Sequence, residues 1–177
     1  SSVSANTDAG FSIVGFTGTG SNATVGHGLT SAPEMVIVKR RTSPDANWFI
    51  FHKDTAATAE VIYLNLTNAA AASATIWNST APTNSVFSVG SGNSNTNLKD
   101  YIAYCFHSVE GYSKVGKYHG SNANYPDGAF VYTGFRPALV AVKGESTTSH
   151  WIVADNKRES AFNGDVARQY WSQAVAD

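Results

Sequence analysis

The sequence predicts an all-β protein built from two tandem, homologous units of β-sandwich or jelly-roll type, the second of them incomplete. Three observations carry that prediction. Segments of about 5–8 residues rich in Val, Ile, Phe and Tyr alternate with clusters of Gly, Asn, Ser and Pro along the 177-residue chain, the pattern of short strands joined by turns. Helix signals are thin, since Ala69–Ala72 has the propensity but only one turn of length. Finally, blocks of the first half return in the second half in the same order, which is the mark of a duplication.

The opening residues 1–9 are polar and read as a linker. The first unit spans 10–109 and opens on Gly10-Phe11-Ser12-Ile13-Val14-Gly15. Ala23–Leu29 follows as a second strand. Met35-Val36-Ile37-Val38 is apolar at successive positions, as expected of a strand covered on both faces. Trp48–Phe51, Val61–Leu64, Thr75–Trp77, Val86–Val89 and Tyr101–Phe106 complete the unit, each read as a strand.

The second unit spans 110–177. Gly111–Gly116 repeats Gly10–Gly15, and Ala129–Phe135 repeats Ala23–Leu29. Pro137–Lys143 then repeats Pro33–Lys39, and Trp151-Ile152-Val153 repeats Trp48-Phe49-Ile50. Trp48 and Trp151 hold equivalent places and are assigned to the core. Tyr170-Trp171 aligns with Tyr63-Leu64, so Val166–Val175 is assigned to a strand. Nothing matches Thr75–Trp77, Val86–Val89 or Tyr101–Phe106. The second sheet therefore keeps an open edge and an uncovered face, both costly, and the expectation is a fragment of a longer chain or completion by a neighbouring one.

Charge narrows the function. Lys and Arg number 12 against 13 Asp and Glu, and charged residues make up 14% of the chain, well under the roughly 25% usual for soluble domains. Ser, Thr and Asn, about 50 positions in all, supply the polarity instead. A neutral surface of hydroxyls and amides excludes a phosphate-tracking nucleic-acid binder and a polybasic membrane binder. Cys105 is the only cysteine, so neither an intrachain disulfide nor a multi-cysteine zinc site is available.

Motifs of catalysis dissolve on inspection. Gly10-x-Ser12-x-x-Gly15 is one residue longer than a nucleophile elbow and opens a strand with a large aromatic. Gly18-Thr19-Gly20-Ser21-Asn22-Ala23 has the loose dinucleotide pattern, but β-type residues follow it, so it reads as a hairpin loop. Cys105 and His107 share one face of a strand and read as half-buried strand positions. Glu60, Glu110, Asp155 and Glu159 form no linking pattern, whereas glycoside hydrolysis needs two facing acids. Asn93–Asn97, closed by Asp100, has too few carboxylates for calcium and reads as a solvated hairpin tip. No metal or cofactor is expected. The candidates that remain are glycan contacts: Trp77 with Asn78, and Tyr125 with Asp127, each an aromatic beside an amide or carboxylate.

As an ordered set, Gly10–Arg41, Asn78–Gly90, Tyr101–Phe106, Val109–Lys114, Phe130–Pro137 and Asp155–Arg158 resemble a domain of unknown function found in tail-fibre and virion proteins of tailed, largely marine, bacteriophages. That domain often lies beside lamin-G- or concanavalin-like lectin modules. The resemblance implies an extracellular place on a virion appendage, a homo-oligomer of trimeric type, and contacts with other virion proteins and with host-surface polysaccharide. It carries over no catalytic residue. The expectation is a non-catalytic adhesin, with a structural spacer or capsid-decoration protein and a tailspike-type glycan depolymerase as the alternatives.

Overall fold

A computed structural model describes residues 1–43, 46–55, 60–121, 127–157 and 169–172. The strand at the heart of the largest sheet is Asp100–Phe106, whose alternate residues Tyr101, Ala103 and Cys105 are fully buried. In chain order the elements are β1 (Ser2–Asn6), β2 (Phe11–Thr17), β3 (Ala23–Gly26), β4 (Met35–Arg40), β5 (Trp48–His52), β6 (Glu60–Tyr63) and β7 (Ala71–Ala72). They continue with one helical turn α1 (Ala74–Trp77), β8 (Val86–Val89), β9 (Asp100–Phe106), β10 (Leu139–Val142), β11 (Ile152–Asp155) and β12 (Gln169–Tyr170). The protein is all-β. A seven-stranded antiparallel sheet runs β1-β2-β9-β4-β5-β6-β7, with a pair β3-β8 and a triplet β10-β11-β12 beside it.

Period-2 alternation decides which side chains meet. The inner face of the large sheet presents Val14, Phe16, Val36, Val38, Phe49, Phe51, Val61, Tyr101 and Cys105, and Val25, Phe87, Val89, Ile76 and Trp77 pack onto it from β3, β8 and α1. Phe16 stacks on Tyr101 at 5.1 Å and meets the Phe87 ring edge-on at 6.1 Å. Each such side chain contributes about 1.5–3 kcal/mol on burial. One polar side chain sealed within this core is bonded at both its nitrogens. The buried His27 ring donates from Nε2 to the Thr83 carbonyl (3.0 Å) and accepts the Leu29 N–H at Nδ1 (3.1 Å).

Four readings of the sequence are corrected. Ser2–Asn6 is a strand, paired with β2 from Asn6↔Phe11 to Ser2↔Gly15, and not part of a linker. Thr75–Trp77 is helical, because its carbonyls are claimed by the segment after β8: Gly92 N–H donates to Thr75 O, and Gly90 N–H and Ser94 Oγ both donate to Ile76 O. Ala129–Phe135 forms no strand. Its counterpart β3 exists by pairing with β8, and the described residues of the second unit hold no equivalent of β8. The Asn93–Asn97 loop is a plug rather than a solvated tip. Asn95 is buried, accepts the Thr19 N–H at 2.9 Å and donates to Thr19 Oγ1 at 3.1 Å, while Tyr101 Oη donates to Asn93 O at 2.8 Å.

The hairpins of the two units share one register. Met35↔His52, Val36↔Phe51, Ile37↔Ile50 and Val38↔Phe49 in the first correspond pair for pair to Leu139↔Asp155, Val140↔Ala154, Ala141↔Val153 and Val142↔Ile152 in the second. The third strand agrees as well, Phe49↔Tyr63 matching Ile152↔Tyr170. Hydrogen bonds repeat too. Trp48 N–H donates to Asn65 Oδ1 and Trp151 N–H to Ser172 Oγ, the equivalent position. Lys39 Nζ and Lys143 Nζ each cap the matching carbonyl of their hairpin loops, Ala46 and Ser149. A shared register with shared side-chain caps supports the duplication read from the sequence.

Candidate functional site

The seven-stranded sheet has a second face, and it is unusually aromatic. Because β9 is apolar in both phases, Ile102, Tyr104 and Phe106 emerge on the face opposite Tyr101, Ala103 and Cys105. Phe11 and Ile13 from β2, Met35 and Ile37 from β4 and Trp48 from β5 share that outer face by register. One end of it is covered. Trp151 inserts among Ile50, Ile62, Met35, Ile37, Leu64 and Ala70 and donates from Nε1 to the Tyr63 carbonyl at 2.9 Å. The second unit is thus seated on the outer face of the first, which covers β4 on both sides as its sequence predicted.

Among the described residues no element covers the other end. Trp48 and Tyr104, both half-buried, lie nearly parallel (14°) with ring centroids 6.5 Å apart. Lys39 Nζ sits 5.9 Å from the Trp48 ring centre. The Asn65 side chain accepts the Trp48 N–H at 3.0 Å and donates at 3.0 Å to Asn47 Oδ1, so two amides lie beside the Trp48 backbone. Phe11 and Phe106 meet at 4.9 Å further along, and Ile13 is 37% exposed. Beyond them, Ser2, Ser4, Ile13, Ile102 and Arg41 line a shallow groove over Gly15. Glycine keeps the groove open: a Cβ there would meet Ser2 Oγ at 2.8 Å.

Of the residues expected to touch glycan, Trp77 is turned away from solvent. Trp77 is 1% exposed and lies edge-on to Phe51 at 6.0 Å, so it presents no ring to a ligand. Asn78 caps α1 in the left-handed region (φ 52°), where a short polar side chain is tolerated. Asp127 is exposed in a loop, and Tyr125 falls outside the described residues. Trp48, assigned to the core with Trp151, is half-buried on the outer face instead. Trp77 ends a helical turn that points it inward, whereas Trp48 was recognisable only through the double apolar phase of its neighbours.

Burial pushes the Cys105 thiol up to about 12, which leaves it protonated at neutral pH and a poor nucleophile. Glu110 is exposed, Glu60 and Asp155 are half-buried on strands, and Glu159 lies outside the described residues. Among the described residues no three His, Cys, Asp or Glu side chains converge as a metal site. Glu34 joins three segments: its Oε1 accepts Lys53 Nζ at 2.7 Å, and its Oε2 accepts the Ser108 N–H at 2.8 Å and the Ser108 hydroxyl. Burial alone would raise this carboxyl, but the donors from Lys53 and Ser108 outweigh it and hold its pKa below the ordinary value.

That direction sets an acid limb. A carboxylate with a depressed folded pKa contributes stability fully above its unfolded pKa, and the contribution is lost as pH falls through the folded value. Between about pH 5 and about pH 3 the wild type is expected to lose melting temperature faster than Glu34→Gln. Thermal melts across that range check it, and parallel acid limbs would refute it.

A family model described as Domain of unknown function (DUF7483) matches residues 1–175. The chain belongs to that family. The family's domain therefore takes in both units and the open outer face. No curated protein matches the chain, and no solved structure matches it.

Proposed function

We propose that this protein is a non-catalytic attachment module of a tailed-phage virion appendage, binding host-surface polysaccharide through the open outer face of its seven-stranded sheet. The resemblance of its sequence blocks to virion proteins supports the setting. The Trp48–Tyr104 pair supports the ligand class and is the observation that carries the reading. A pyranose ring offers an apolar face to an aromatic plane while its hydroxyls seek amides and hydroxyls; Asn65 and Asn47 lie beside Trp48, and Ser2 and Ser4 line the groove further along the same face. A site this shallow binds weakly, and repetition on an appendage multiplies it.

The test is binding of labelled protein to a panel of bacterial cells and to their purified polysaccharides. Trp48→Ala and Tyr104→Ala are each expected to weaken binding about tenfold, near the upper value of a single aromatic contact. Unchanged binding in both variants would remove this face from consideration. A second reading, a structural spacer, is favoured by the outer edge of β10, which no strand among the described residues pairs; failure of the folded wild type to bind any host cell or polysaccharide would select it.

A further inference from the structure

The large sheet lays one row of residues straight across its outer face. Ser2 pairs with Gly15, Gly15 with Ile102, Ile102 with Lys39 and Lys39 with Trp48, so β1, β2, β9, β4 and β5 each contribute one position. Four strand spacings separate the ends of the row, about 19 Å. Gly15 is the notch in it. Ser2 bounds the notch on one side and Ile102 on the other, Ile13 and Ser4 lie one row along, and the space they border is about 400 Å³, within the range of small-ligand sites. At the far end of the row stands Trp48, beside Tyr104.

Charge on this face is sparse and unevenly committed. Of the β1, β2, β4 and β9 residues that emerge here, Lys39 and Asp100 are the charged ones. Lys39 Nζ donates to the Ser43 carbonyl at 3.2 Å and to that of Ala46, so its own loop holds it. Asp100 accepts the Thr17 hydroxyl at 3.0 Å. Arg41 follows β4 directly, and its backbone N–H donates to the Asp100 carbonyl at 2.8 Å, which fixes its place at the rim of the notch. Its side chain is exposed, and among the described residues no carboxylate pairs with it and no hydrogen bond reaches its guanidinium. A guanidinium presents parallel N–H donors in one plane, the arrangement that a carboxylate accepts two at a time.

We propose that the polysaccharide bound by this face is acidic, that it lies across the strands along the Ser2–Trp48 row, and that Arg41 takes the carboxylate of a uronic-type sugar seated in the Gly15 notch. The inference rests on the polysaccharide reading above and adds to it the ligand's charge, its direction and its contact at the second end. In the notch, Ser2 and Ser4 hydroxyls meet sugar hydroxyls, and Ile13 and Ile102 meet the apolar face of the ring. Trp48 holds another sugar of the same chain whatever its charge, while Arg41 discriminates an acidic chain from a neutral one. The discrimination is modest, because a guanidinium left without its carboxylate returns to water.

The test takes the host polysaccharide that the wild type binds, before and after reduction of its carboxyl groups to alcohols, and titrates labelled protein with each. The wild type is expected to bind the native form about fivefold more tightly than the reduced form, the upper range for an exposed ion pair. That preference is expected to fall below about twofold in Arg41→Gln, and to shrink in the wild type as salt rises from about 0.1 to about 1 M. Trp48→Ala is expected to weaken both forms and keep the preference. The readout is a ratio of two affinities for one preparation, so a partly unfolded variant leaves it unmoved. Equal binding of the two forms by the wild type, a full preference in Arg41→Gln, or a loss on desulfation in place of carboxyl reduction would each overturn the acidic-sugar assignment and leave the polysaccharide reading standing. A folded wild type that binds no polysaccharide would remove both.

Discussion

Trp77→Ala is expected to destabilise the protein by about 3–5 kcal/mol, the range for emptying a buried indole site, and to lower its melting temperature by roughly 6–20 °C. The indole is 1% exposed, meets Phe51 edge-on and anchors the helical turn to the inner face of the sheet. Its Nε1 is buried with no hydrogen-bond partner. Trp77→Phe removes that unpaired donor along with part of the volume, so it is expected to cost less than half as much. Urea or thermal melts of the two variants decide it. An alanine variant within about 1 kcal/mol of wild type would place Trp77 outside the core. Any loss of cell binding in Trp77→Ala reports unfolding and not a lost sugar contact.

Gly90→Ala is the second large effect. A Cβ at Gly90 would stand 2.0 Å from Thr75 O and 2.5 Å from Thr75 C, both backbone atoms, while the Gly90 N–H donates to Ile76 O at 2.9 Å. Backbone on backbone has no rotamer to yield, so the turn bearing Ile76 and Trp77 must lift from the sheet. The expected cost is about 3 kcal/mol, the upper end for overpacking. Gly116→Ala, where an added Cβ meets nothing within 4 Å, is the control and is expected within about 0.5 kcal/mol of wild type. Equal melting temperatures for the two variants would show that the approach at Gly90 relaxes freely.

What was legible in the sequence follows from where the information resides. Runs such as Met35–Val38, Trp48–Phe51 and Tyr101–Phe106 declare strands through β-branched and aromatic content, and the structure forms strands there. β1 carries no such signal: Ser-Val-Ser-Ala-Asn is an exposed edge strand whose order comes from β2. Thr75-Ile76-Trp77 has strand composition, but donors from Gly90, Gly92 and Ser94 capture its carbonyls, a tertiary effect that local propensity does not contain. The aromatic outer face was half visible. Tyr101–Phe106 is apolar in both phases, which requires two covered faces or one open apolar one. That Trp48 lies beside Tyr104 depends on β4 standing between β5 and β9, and strand order is not written in any single segment. Trp77 misled for the complementary reason, since an indole beside Asn-Ser-Thr has the same composition whether it faces in or out.

The position of β9 also dictates how the first unit comes into being. β9 separates β2 from β4 in space, yet it follows the end of β4 by 60 residues and pairs Phe11 with Phe106. During synthesis at about 5–20 residues per second, β4 waits on the order of 3–12 s for its inner neighbour. The β1–β2 and β4–β5–β6 hairpins are local and close quickly, while the strand that unites them arrives last and across the longest loop. Until then two apolar edges of the nascent chain face each other across a gap one strand wide, and the chain's exposure to misassembly is greatest in that interval.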